Sequence, residues 1–213
     1  MTNPEVTGFY HQDTATVTYV VTCPETRKAV IIDPVLDYDP AAGRTGTAHA
    51  DGVLRHVRDA GLDVEWILDT HVHADHMTGA RHMKDALGVP TAIGANVTTV
   101  QKVFREIFNI PDLSPDGSQF DRLFEDGDTI TVGSLTVRVM HTPGHTPACL
   151  TYVIGDAAFV GDTIFMPDFG TARCDFPGGD ATALFRSIER ILDLPEHTRI
   201  FVGHDYAPGG REV

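Results

Sequence analysis

Residues 70–76 read Thr70-His71-Val72-His73-Ala74-Asp75-His76 and place four potential metal ligands within six residues. The apolar run before them, Glu65 to Asp69 (EWILD), reads as a short strand. Gly79 to Leu87 after them reads as a helix stopped by Gly88 and Pro90. An extended strand end lets His71 and His73 point the same way, while Asp75 and His76 enter the following turn. Imidazole and carboxylate donors together suit Zn or Fe(II). A single histidine is more often a packing or surface residue. Four ligand types in so short a stretch reverse that reading.

Three distant segments repeat the placement at a strand end. His141 follows the strand ending at Met140, in His141-Thr142-Pro143-Gly144-His145-Thr146; Asp162 follows AFVG, and His204 follows IFVG. Gly161 before Asp162 and Gly203 before His204 permit close approach of backbone to a site. The plainer readings are a turn aspartate and a surface histidine, but all these residues share one kind of topological position. A metal site is the central inference.

Outward from these motifs, Thr16 to Thr22 and Lys28 to Asp33 read as a hairpin, and Val35 to Ala48 as an irregular loop rich in Asp, Pro, Gly and Thr. Val53, Leu54 and Val57 mark a helix ending by Gly61. Ala95 to Phe108 is a second helix, with Val97, Val100, Phe104, Ile107 and Phe108 at helical spacing. Strands are expected at Thr129 to Val132, Leu135 to Met140, Ala148 to Ile154, Ala157 to Val160 and Arg199 to Val202. A helix after Asp180 should bury Leu184, Phe185, Ile188, Ile191 and Leu192. There is no internal repeat, no linker, and no GxGxxG after the first strand. The order fits a layered α/β fold with sheets inside and helices outside. The unit expected is a single domain over residues 1–213; its loop-like end, DYAPGGREV, suggests that a C-terminal element is lacking.

The 213 residues are 42% hydrophobic and 22% charged, enough for a sizeable core. A formal charge of −14 argues against nucleic acid as a partner. No apolar run approaches the roughly 18–20 residues of a membrane span. Three widely spaced cysteines, Cys23, Cys149 and Cys174, and no visible secretory signal point to a reducing cytoplasm.

At these residues the sequence resembles the metallo-β-lactamase-fold superfamily: HVHADH matches the HxHxDH signature, and His141, Asp162 and His204 match the later ligand positions. The resemblance implies an αββα sandwich, two mixed sheets flanked by helices. Within the superfamily the chain looks most like the ETHE1-like persulfide dioxygenases, in their bacterial β-lactamase-hydrolase-like branch. The segments that carry this are THVHADHMTG (70–79), HTPGHT (141–146), Gly161-Asp162-Thr163, Gly170-Thr171-Ala172-Arg173-Cys174-Asp175-Phe176 and His204-Asp205-Tyr206.

That resemblance implies one Fe(II) per chain held by His71, His141 and Asp162, with His73, Asp75, His76 and His204 as outer hydrogen-bonding or proton-handling groups. It implies oxidation of glutathione persulfide, or a similar small persulfide, by O2 to sulfite and free thiol, in sulfide detoxification. Arg173 is the candidate to orient an anionic substrate, Tyr206 to hydrogen-bond near the reacting atoms, and Cys174 to accept sulfur. An inert, packed Cys174 is the plainer reading. The alternative is a two-zinc thioester hydrolase resembling glyoxalase II: His71, His73 and His141 would hold one Zn(II), Asp75, His76 and His204 the other, and Asp162 would bridge them. A homodimer is compatible with such a fold.

Overall fold

The computed structural model describes residues 3–207. An antiparallel hairpin of β1 (Glu5–His11) and β2 (Thr16–Thr22) continues into β3 (Lys28–Ile32). β2 is buried along its whole length, with Val17, Tyr19 and Val21 in the core between two sheets and Val20 in the core beneath the helices. In TVTYVVT only Val20 breaks the apolar–polar alternation, and the threonine face is buried as well because both faces of the strand are covered. There follow β4 (Val35–Asp39), β5 (Arg44–Gly46), α1 (Ala48–Asp59), β6 (Asp63–Leu68), β7 (Met77–Thr78), α2 (Ala80–Leu87), β8 (Thr91–Gly94), α3 (Val97–Ile107) and β9 (Arg122–Phe124).

The first sheet has the order β1-β2-β3-β6-β8-β9 and is parallel from β3 onward, because helices supply the crossovers. The second comprises β10 (Thr129–Val132), β11 (Leu135–His141), β12 (Leu150–Ile154), β13 (Ala157–Phe159) and β14 (Arg199–Phe201) in sequence order. It is antiparallel except for the β13–β14 pair, which α4 (Ala181–Leu192) joins. In β11, Leu135, Val137 and Val139 turn inward while Thr136 and Arg138 are exposed.

The two sheets close on a shared core of Ile32, Leu68, Val137, Leu150, Tyr152 and Phe159. Each fully buried Val, Leu or Ile contributes about 1.5–3 kcal/mol. α1 and α2 cover the outer face of the first sheet through Val53, Val57 and Met83; Ile191 of α4 covers the second. The layers are those of an αββα sandwich. The loops after β6, β13 and β14 carry His71, Asp162 and His204.

Several elements differ from expectation. Residues 35–48 hold the β4–β5 hairpin rather than an irregular loop, and β4 also pairs with β7 beside the metal-ligand segment. β1, β8 and β9 were not anticipated from the pattern: β1 is a mostly exposed edge, and β8 and β9 are too short to show a period. On α4 the buried stripe is Leu184, Ser187 and Ile191, the i, i+3, i+7 positions, and Phe185 and Leu192 are exposed. Ile107 and Phe108 at the end of α3 are exposed too. Residues 208–213, which hold most of the loop-like end, lie outside the described residues. No helix among those described is long and apolar enough to cross a membrane.

Candidate metal centre

Asp33, at the end of β3, fixes the segment that carries the ligands. Its buried carboxylate accepts hydrogen bonds from the Thr70 backbone N–H at 2.7 Å and from the Thr70 hydroxyl at 2.8 Å. The chain therefore leaves β6 in a set direction, and the buried His71 ring lies 3.0 Å from Thr70 Oγ1 through Nδ1. His71 Nε2 then faces Asp162 Oδ2 at 3.7 Å.

His145 joins them. Its Nδ1–H donates to the Arg173 carbonyl at 2.7 Å, which leaves Nε2 as the lone-pair nitrogen, 3.8 Å from the same Asp162 oxygen. Donor atoms of His71, His145 and Asp162 all lie within 4.8 Å of one another, and all three residues are buried. These spacings are too long for hydrogen bonds and suit donors grouped around a cation.

The expected third ligand, His141, is elsewhere. Its Nε2 lies 2.8 Å from the Pro147 carbonyl, to which it donates, and its backbone is held by Asp126 and Arg190. The reason is the Pro143-Gly144 turn. Gly144 has φ 143°, and a Cβ there would sit 2.3 Å from the Leu184 backbone of α4. Only glycine permits this tight reversal, and it swings the second histidine of HTPGHT inward. Having a Pro-Gly pair between the two histidines was the signal that could have distinguished them.

Asp162 divides its carboxylate. Oδ2 faces His71 and His145, while Oδ1 accepts from His204 Nδ1 at 2.8 Å. His204 Nε2 lies 2.8 Å from Asp75 Oδ2. Burial opposes a charge on His204, yet these two carboxylates raise its pKa to about 10. Burial also opposes ionisation of Asp162, but His71 and His204 hold it well below the ordinary carboxylate range. Burial pushes His71 down to about 3, His73 to about 4 and His76 to about 3, so these imidazoles are neutral at pH 7.

Among the described residues, His71 Nε2 and both ring nitrogens of His73 and His76 are buried with no hydrogen-bond partner. Orphaned polar atoms of this kind are costly in a folded interior. Neutral, unpartnered imidazole nitrogens beside an ionised carboxylate fit a bound metal. His73, Asp75 and His76 form a second group with donor atoms within 4.8 Å, so the site can accommodate either one ion or two.

A cavity of about 520 Å3 opens beside His145 and Asp162. Phe165, Phe169, Phe176 and Tyr206 give it an aromatic wall, and Arg173 lies on its rim. Arg173 is committed within its own loop, forked onto Asp175 at 2.6 and 2.7 Å and lying over the Phe176 ring at 4.8 Å. Its carbonyl, rather than its guanidinium, is what reaches the cluster, and the Phe176 ring meets His145 edge-on at 5.3 Å. Tyr206 stacks on His204 at 5.5 Å. Cys174 is half-buried and does not line this cavity.

The comparisons with known proteins agree with this architecture. The chain is 59% identical over 208 residues to a beta-lactamase hydrolase-like protein of Xylella fastidiosa (strain Temecula1 / ATCC 700964), covering 98% of this chain and 48% of that protein. It is 48% identical to glyoxylase B2 of Dictyostelium discoideum, over 96% of this chain and 71% of that protein. The crystal structure of ETHE1 from Myxococcus xanthus superposes with a TM-score of 0.77 at 30% identity, covering 97% of this chain and 77% of that one. The chain thus spans about half the length of the Xylella relative. Residues 12–204 match the Metallo-beta-lactamase superfamily, and the chain belongs to it.

Proposed function

We propose that this chain is a mononuclear Fe(II)-dependent dioxygenase that converts a low-molecular-weight persulfide, O2 and water to sulfite and the free thiol, with glutathione persulfide as the expected substrate. One observation carries the reading: two imidazoles and one carboxylate, from His71, His145 and Asp162, share a single donor cluster while His204 is engaged by Asp162 and Asp75. Two histidines and one carboxylate are the donor set of non-haem Fe(II) oxygenases, and they leave coordination positions open. Fe(II) held there supplies the electrons that let O2 react with a closed-shell persulfide.

The chain's own residues set up that chemistry. The Arg173 carbonyl fixes the His145 tautomer, and His204 occupies Asp162 Oδ1 so that Oδ2 faces the two histidines. The aromatic wall suits the soft sulfur end of a persulfide. Burial, with Asp162 and Asp75 nearby, raises the Tyr206 phenol to about 12, so it keeps its proton and serves as a hydrogen-bond donor. The Arg173–Asp175 pair stands where an anionic end of the substrate would compete for the guanidinium. Persulfide-dependent O2 uptake by the iron-loaded protein, with sulfite formed in equal amount, tests this. No uptake by iron-replete protein contradicts it.

The second reading is a two-zinc thioester hydrolase similar to glyoxalase II. The His73, Asp75 and His76 group favours it, since those imidazoles are also without partners. Thioester cleavage by zinc-loaded protein without O2 consumption distinguishes it.

A further inference from the structure

We infer that Asp69 and Thr78 form a clasp that positions the metal-ligand loop, residues 70–77, and through Asp75 and His204 the carboxylate of Asp162. Both are positioning residues, acting through the groups they hold in place. The inference rests on the proposed function only for the identity of the ion, since an iron centre and a two-zinc centre would draw on the same loop.

The two residues bracket that loop. The Thr78 hydroxyl donates to Asp69 Oδ1 at 3.0 Å, with Oδ2 at 3.3 Å, and accepts the Ala80 N–H at 3.1 Å where α2 begins. Asp69 is a fixed post. It is buried, its N–H donates to the Ala92 carbonyl of β8 at 3.0 Å, and its carbonyl accepts the Tyr152 hydroxyl of β12 at 2.9 Å. Strands of both sheets therefore hold its backbone. Burying a carboxyl is costly unless it is hydrogen-bonded, and Thr78 supplies that bond.

The far end of the loop needs such a tie. Thr70 and Asp33 anchor His71 at the near end. Ala74, Asp75, Met77 and Thr78 are exposed, and β7 pairs with β4 only at Val35–Thr78 and Leu36–Met77. Segments with so few buried contacts are the ones that open locally.

What the clasp positions follows from contacts inside the loop. Asp75 Oδ2 meets His204 Nε2 at 2.8 Å, a nitrogen that also lies 3.1 Å from Thr16 Oγ1. His204 Nδ1 donates to Asp162 Oδ1 at 2.8 Å, which leaves Oδ2 facing His71 and His145. A loop that shifts at Thr78 moves Asp75 and loosens this run. His73 lies closer still: donor atoms of Asp33, Asp69 and His73 are within 4.8 Å of one another. His145 is outside the loop, with its ring held by the Arg173 carbonyl.

Thr78→Val, which keeps the side-chain shape and removes the hydroxyl, tests the clasp by two readouts that need no turnover. Anaerobic titration should show Fe(II) affinity lower by about 10-fold, the low end of what outer groups around a metal contribute. In metal-free, histidine-labelled protein the ring nitrogen signals of His73 and His204 should shift while those of His145 stay in place. Thr78→Ser should restore both readouts. Asp69→Ala, which spares the Thr78–Ala80 contact, should reproduce the loss, and the double variant should lose no more than the worse single one, because the two residues share one contact. Wild-type affinity in Thr78→Val overturns the clasp, as does an equal shift of His145, a failure of Thr78→Ser to restore, or losses that add in the double variant. Should Asp69→Ala not fold, the contrast of Val with Ser at the exposed Thr78 decides. If wild type shows no persulfide-dependent O2 uptake, it is the proposed function that fails, and the clasp is judged on the same ring signals and on Zn(II) titration.

Discussion

Replacing His145 and His141 separately by alanine gives opposite outcomes if the turn at Pro143-Gly144 is correctly understood. His145 contributes Nε2 to the donor cluster and is held by the Arg173 carbonyl. Removing even an outer partner of a metal ligand costs about 10–100-fold in metal affinity. Loss of a donor itself should therefore cost at least about 100-fold, or about 2.7 kcal/mol. His141 loses its ring contacts with the Pro147 carbonyl and the Asn96 side-chain amide, while Asp126 and Arg190 hold its backbone rather than its ring. That is worth about 1–2 kcal/mol of stability, or a Tm lower by about 2–8 °C for a chain of this size. Anaerobic Fe(II) titration with metal counting, alongside thermal melts, separates the two effects. His145→Ala should lose metal, and His141→Ala should melt earlier while retaining it. Metal loss in His141→Ala with full occupancy in His145→Ala would refute the assignment.

A Cβ at Gly203 would sit 2.6 Å from Asp162 Oδ1 and 2.9 Å from the Gly161 carbonyl carbon, so Gly203→Ala should displace the carboxylate and weaken metal binding about 10-fold or more, measured by the same titration. Arg199 hydrogen-bonds Asp156 and lowers its pKa in the folded chain. The pair's stabilisation is then complete above the unfolded aspartate value near about pH 4 and lost as pH falls through the folded value. The difference in urea midpoint between wild type and Asp156→Asn should accordingly shrink in acid; a difference that grows below pH ~4 would contradict this. Half-buried Cys174 should react with iodoacetamide in the native protein, whereas Cys23 and Cys149 should react only on unfolding. Burial also pushes the Cys149 thiol up to about 12.

The site was legible in sequence wherever ligands share a short segment or follow a strand directly. His71, His73, Asp75 and His76 announce themselves by density, and Asp162 and His204 by the glycine before each. His141 misled because proximity to a strand end says nothing about which way the chain turns next. The turn depends on Gly144 packing against Leu184, a contact made across 40 residues of chain. The β4–β5 hairpin hid for a different reason: its exposed residues carry turn-forming side chains and no apolar alternation. The core strands, by contrast, were readable from β-branched runs alone.

The central claim is a single iron centre at His71, His145 and Asp162. The most direct test is the metal bound per chain in anaerobically purified protein, measured on the same sample as persulfide-dependent O2 uptake. One iron per chain with O2 consumed and sulfite formed in step is the predicted result. Two zincs per chain, thioester cleavage and no O2 uptake would contradict it.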